Sequence, residues 1–199
     1  MIRTWYTSDM HFGHERIIEL SHRLFSSVQE MDDTLVYNWN SVVAPADVVW
    51  VLGDVVMNRA ALDNVHRLHG RKYLVAGNHD GCWQYHSRWR RAREWYLEAG
   101  FELVFTEGYV AYHRLGGVLG GGPLVHMAHL PYRGGGDHTA TERYVEQRML
   151  DDGRTPLLCG HVHDAWTTKQ TPLGTRMINV GVDAWNYLPV PERTVLSML

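Results

Sequence analysis

The sequence predicts an α/β sandwich in one domain, and three observations predict it. Short apolar runs rich in β-branched and aromatic residues alternate with helical stretches through the first half of the 199-residue chain. The second half is nearly all strand-like, and runs in both halves end abruptly in Asp, Asn or His. Alternation followed by a strand-rich remainder is the pattern of layered sheets with helices against them. No internal repeat and no long linker marks a boundary, so residues 1–199 read as a single domain.

Taken in order, "IRTWYTS" reads as a strand running into Asp9, "DVVWVLG" as one running into Asp54, and "KYLVAG" as one running into Asn78. Between the first two, "SVQEMDDTLVYNWNSVV" reads as a helix, with Ser27 and Glu30 in capping-box spacing. After the third, "QYHSRWRRAREWYLEAG" reads as a helix closed by Gly100. From residue 101 the strands are "FELVFTEG", "YVAYHRL", "PLVHMA" before His129, and "PLLCG" before His161. The run "LGGVLGGGP" lacks the Lys-Ser/Thr of a phosphate-binding loop and reads as a flexible turn. The segment "AWTTKQTPLGTRMINVGV" reads as a hairpin turning at Pro172 to Gly174.

Composition sets limits. With 45% hydrophobic and 21% charged residues, disorder is not the expected state. A net charge of −3 excludes a global basic field as the source of polyanion binding, so a phosphate ligand needs a local positive source. The chain has 13 histidines, and neutral imidazole is the commonest metal ligand. Cys82 and Cys159 form no CxxC pair, which points to free thiols in a reducing compartment. The start "MIRTWYTSDM" has no signal-peptide apolar core, and no apolar run reaches the ~18 residues of a membrane span, so a cytoplasmic protein is expected.

The chemistry lies in five strand ends: "SDMHFGH", "LGDV", "AGNHD", "MAHLP" and "CGHVH". Each contributes Asp, Asn or His and none uses cysteine, a donor set suited to Mn²⁺, Fe or Zn²⁺ rather than to a thiolate zinc site. In an extended segment residues two apart share a side, so Asp9 with His11, and His161 with His163, are expected to face one region. Singly, each motif is weak: a Gly-Asp after a strand is commonplace, and a lone histidine is more often a core residue. All five in this order within one small chain are very hard to obtain by chance.

This order resembles the calcineurin-like metallophosphoesterases, whose pattern is D-x-H, GD, GNH-D/E, a lone His and GHxH. The resemblance spans Asp9 to His163, and with "MINVGVDAWNYLPV" it is similar to the small members of bacteria and their phages, which would put a phage-encoded copy in the host cytoplasm. It implies a four-layer αββα sandwich of two mixed β-sheets flanked by helices, with the site at the carboxyl ends of the strands. It also implies two divalent ions, Mn²⁺ first and Fe or Zn²⁺ next. Asp9, His11 and His163 would hold one, Asn78, His129 and His161 the other, and Asp54 both. His79 matches the family's substrate-facing histidine, and Asp80 is expected to orient its ring.

Two dications bring about four positive charges; Asp9 and Asp54 remove two and a bridging hydroxide one, leaving the local positive source that a phosphate requires. The expected activity is hydrolysis of small phosphodiesters, cyclic nucleotides of the 2′,3′ type among them, at an open site with Trp185 and Tyr187 on its rim. Phosphomonoesterase or nuclease action on the same centre, and a noncatalytic interaction module, are the competing readings. His14 reads equally as a contact near the centre or as a cap on the next helix. Asn179 and Asp183 are near-site candidates only. The arginines and tryptophans of "SRWRRAREW" could grip nucleic acid, but a solvated helix face with Trp89 and Trp95 packed inward is favoured. No feature of the sequence specifies an oligomeric state.

Overall fold

The computed structural model describes residues 2–116, 121–134 and 142–199. Among the described residues, ten strands form two five-stranded sheets. The first contains β1 (Thr4–Thr7), β2 (Val48–Val51), β3 (Arg71–Val75), β4 (Phe101–Phe105) and β10 (Val190–Pro191), in the order β10-β1-β2-β3-β4. The second contains β5 (Tyr109–Arg114), β6 (Leu124–Ala128), β7 (Leu157–Cys159), β8 (Thr168–Gln170) and β9 (Arg176–Asn179), in the order β5-β6-β7-β9-β8. Both are mixed: β1 to β4 run parallel with β10 antiparallel, and β6, β7 and β9 run parallel with β5 and β8 antiparallel at the edges. Parallel strands put their carboxyl ends on one rim, so Asp9, Asp54 and Asn78 from one sheet meet His129 and His161 from the other.

Tyr6, Leu52, Val75, Val125, Met127, Leu158 and Ile178 fill the space between the sheets. A larger core joins the outer face of the first sheet to helices α1 (Glu15–Leu20), α2 (Val28–Val42), α3 (Asp63–His66) and α4 (Trp89–Glu98). Helix α5 (Glu192–Met198) follows β10 and sends Val195 between the sheets. Outside the second sheet, Tyr132, Leu157, Cys159 and Met177 form a small third cluster with Met149 and Trp166 against it. The expected αββα sandwich of two mixed sheets flanked by helices is present, with its outermost layer on the second sheet reduced, among the described residues, to a single 3₁₀ turn, Val145–Gln147.

Local chemistry explains the boundaries. Helix α2 buries Met31, Leu35, Val36 and Trp39, the stripe expected at helical spacing. Ser27 Oγ accepts from Glu30 N, but the Glu30 carboxylate returns to Ser26 N rather than to Ser27, one residue beyond the expected box. Helix α4 begins at Trp89, later than expected, because residues 84–88 are spent on turns, and Gly100 at φ +106° ends it. The β8–β9 hairpin turns where expected, with Gly174 at φ +84°. Residues 117–120 of the glycine run lie outside the described residues.

Candidate metal centre

Two triads of buried donors lie at the shared rim. Asp9, His11 and His163 form one, and Asp54, His129 and His161 the other; within each, the donor atoms lie within 4.8 Å of one another. One atom links them: Asp54 Oδ2 is 3.7 Å from His11 Nε2 and 3.3 Å from His129 Nε2. Its partner Oδ1 accepts from the His79 backbone N–H at 2.9 Å, which fixes the carboxylate's rotation. Asn78 Oδ1 lies 3.0 Å from His129 Nε2, so the amide converges on the second triad.

Donor side chains reach this region by an unusual backbone. Asp9, His11, Asp54, His161 and His163 all have positive φ, between 48° and 71°. These five donors therefore do not lie in extended segments with alternate residues on one side, as their spacing predicts: the strands have already ended and each of the five sits in a left-handed turn. Such positions cost of order 1–3 kcal/mol each and cluster where function demands a particular direction. Asp and His tolerate them better than most residues, which is consistent with the composition of the motifs. The glycines serve the same crowding: a Cβ on Gly77 would collide with the Asp54 carboxylate and backbone, and one on Gly160 would come 2.6 Å from Asp9 Oδ2.

Each half has its own support. Around the first triad, His163 Nδ1 hydrogen-bonds Asp183 Oδ2 at 2.8 Å and lies 3.2 Å from Ser21 Oγ, leaving Nε2 to face the centre. Asp183 is itself clamped by Arg23 through two bonds of 2.7 and 2.9 Å, and the same guanidinium donates to the carbonyls of Asp9 and Met10. Asp9 accepts from Ser8 Oγ and from the His161 N–H, tying the first sheet's rim to the second's. Asn179 donates to His163 O and Trp166 O and accepts from Gly181 N, so it shapes the loop that carries His163. Around the second triad, His129 Nδ1 bonds the Leu52 carbonyl at 2.8 Å, presenting Nε2 inward.

The expectation that Asp80 orients the His79 ring does not hold. Both Asp80 oxygens are taken by the backbone N–H groups of Asp54, Val55 and Gly77 and by Tyr96 O–H, so this carboxylate fixes the loop bearing Asp54. His79 is partly exposed, its ring centroid 5.5 Å from that of His11. His14 precedes α1 but makes no side-chain cap bond, which removes the capping reading. Its ring lies 5.5 Å from His11's.

The electrostatics suit positive charge. Burial pushes Asp54 up, but the imidazoles of His129 and His11 outweigh it and hold the carboxyl well below its usual range. Burial lowers His129, yet Asp54 and Asp9 raise it to about 9. Burial and neighbouring His129 push His161 down to about 2. His11 leaves both ring nitrogens, and Asn78 its Nδ2, buried without a hydrogen-bond partner. Buried polar atoms are rarely left so, and cations between the triads would satisfy the imidazole. The donors thus fit two metal ions.

Other sequence-based candidates fall elsewhere. Trp185 Nε1 donates to Asn179 O and Tyr187 packs on Phe25 at 5.0 Å, so both rings are used within the fold. On α4 the indoles are half-buried and covered by guanidinium groups, Arg90 over Trp89 at 4.5 Å and Arg59 over Trp95 at 4.5 Å. Arg23 is the residue that sequence reasoning missed; nothing in "SHRLF" distinguishes it from a surface arginine. No helix among the described residues is long and apolar enough to cross a membrane.

Comparison with known proteins agrees with this geometry. The Gene 66 protein of Mycobacterium phage L5 is 38% identical over 197 residues, covering 94% of this chain and 90% of the relative. That of Mycobacterium phage D29 is 36% identical over 205 residues, covering 100% and 96%. The crystal structure of a protein of unknown function from Aquifex aeolicus, AQ665, superposes with a TM-score of 0.71 at 24% identity over the whole of both chains, a likeness of fold. Residues 2–165 match the family described as calcineurin-like phosphoesterase, a span that contains both triads. On that match and on the paired triads it encloses, the chain belongs to the calcineurin-like phosphoesterase family.

Proposed function

We propose that this protein is a phosphodiesterase that hydrolyses small phosphodiesters, cyclic nucleotides among them, with two divalent ions, Mn²⁺ foremost. The observation that carries the reading is the position of Asp54 Oδ2, within 3.7 Å of a histidine from each triad. Asp9, His11 and His163 would hold one ion, Asn78, His129 and His161 the other, and Asp54 both. When bound, such a pair polarises the phosphoryl oxygens and supplies a nucleophile at neutral pH.

The chain's own residues do the rest. His163 is held by Asp183 and His129 by Leu52 O, so each ring keeps its direction. Among the described residues two carboxylates, Asp9 and Asp54, enter the donor sets, so with both ions bound the centre would stay positive inside a chain of net charge −3 and attract a phosphate anion. His79, partly exposed beside His11, is the group placed to give a proton to the leaving oxygen. A diester brings one negative charge and a second substituent that can lie outside the centre. The test is kcat/KM for an aryl phosphodiester against the matching monoester with Mn²⁺. A ratio above one is expected; a ratio well below one makes the protein a phosphomonoesterase.

A further inference from the structure

A cavity of about 140 Å³ adjoins the candidate centre on the His79 side. Its lining includes Val56, Met57, Arg59, Leu62 and Trp95, with His79 at the same wall. It is formed where α4 meets the 3₁₀ helix Arg59–Leu62, two elements that the five strand-end motifs do not contain. The polar groups of neighbouring Asn58 and Tyr96 are already spent: Asn58 Oδ1 accepts from Ala61 N, and Tyr96 O–H donates to Asp80. Two polar groups remain. Among the described residues, the His79 ring makes no hydrogen bond and the Arg59 guanidinium has no carboxylate partner. Arg59 lies instead 4.5 Å from the Trp95 ring centroid, with Arg91 at 5.8 Å.

We propose that this cavity is a subsite for one six-membered aromatic ring carried next to the phosphorus, as in an aryl phosphoester, stacked against the Arg59–Trp95 wall. This deepens the phosphodiesterase reading and rests on it. Size suits the occupant, because the cavity of about 140 Å³ is close to the ~150 Å³ of an apolar cavity that takes benzene. Chemistry suits it too: a guanidinium plane stacks on aromatic rings, here the Arg59 group backed by the Trp95 indole, and Val56, Met57 and Leu62 supply apolar contact. Position completes the argument, since His79 lines the cavity and its ring neighbours that of the donor His11. A phosphate held at the triads can therefore direct an ester arm into the cavity. The Arg59 charge, unopposed by a carboxylate, adds attraction for the same anion.

The experiment compares phenylphosphonate with methylphosphonate by calorimetric titration of the Mn²⁺-loaded protein, where the phosphonate is common and only the ring differs. Phenylphosphonate is expected to bind about tenfold tighter, the scale of one stacked ring. Trp95→Ala should bring the ratio close to one while leaving methylphosphonate binding unchanged. Because Trp95 also packs against the core, Arg59→Ala provides a second variant at an exposed position and should lower the ratio severalfold. Equal titration curves for the two phosphonates in the wild-type protein, or a ratio unmoved by both variants, overturn the subsite. Diester hydrolysis with no ring preference overturns the subsite and leaves the proposed function standing. A ring preference in protein that turns over no diester overturns the function and leaves the subsite standing.

Discussion

The two halves of the centre present the same imidazoles by different means. The first half directs His163 with a carboxylate, Asp183, which is clamped by a buried arginine from a distant part of the chain. The second directs His129 with a backbone carbonyl, Leu52 O, and secures Asp54 through Asp80 and three backbone amides. One half is therefore held by charged side chains that substitution can remove, the other largely by main chain within the motifs. The halves should fail separately, except at Asp54, which touches both, and at Asp9, which also accepts from the His161 N–H.

The largest effect should come from that shared residue. Asp54→Ala should abolish hydrolysis and lower metal content at both triads together, as read by elemental analysis. Two full equivalents of metal in an active variant would remove the link between the halves.

Next is His79, which belongs to neither triad. His79→Ala should keep both metals and slow turnover by about 10²–10⁴-fold, with the mildest loss for leaving groups that need no proton. An unchanged rate on an alkyl phosphodiester would assign His79 a structural role alone.

The asymmetry itself is tested at Asp183. Asp183→Asn keeps the shape but removes the charge behind His163, and outer partners of this kind contribute about 10–100-fold to metal affinity. Calorimetric titration with Mn²⁺ should show one equivalent weakened by that factor and the other unchanged. Equal weakening of both would merge the two halves into a single cooperative unit.

The smallest effect serves as a control away from both halves. Burial lowers His113 from 6.5 to about 4. A depressed histidine contributes stability that is present above pH 6.5 and lost as pH falls through 4. Discounted for partial exposure, the loss is about 2 kcal/mol. Denaturation midpoints of His113→Gln should depend less steeply on pH over this window than those of the wild type. Identical slopes would show that burial of this imidazole carries no such penalty.

The two halves also differ in how much of each could be read from sequence. Asp54, Asn78 and His161 stand at strand ends beside glycines and His129 at a strand end after Ala128, and their spacing showed both the donors and the sheets that carry them. The glycines carried a geometric reason as well, visible where Gly77 leaves room for Asp54. Arg23 and Asp183 lie 160 residues apart and meet only in the folded chain, so their pairing left no local pattern. Asp80 lies inside a recognised motif, yet its role depends on which amides point at it, and sequence does not encode that. The cavity beside His79 was hidden for the same reason: α4 and the 3₁₀ helix Arg59–Leu62 build it jointly, from segments that carry none of the donor motifs.

Asp54 is the carboxylate positioned to join two unequal candidate metal sites. Electron paramagnetic resonance during a Mn²⁺ titration tests that role most directly. Two equivalents are expected to bind, with a magnetically coupled pair forming as the second enters and disappearing in Asp54→Ala. Two uncoupled Mn²⁺ signals in the wild-type protein, or saturation at one equivalent, would contradict it.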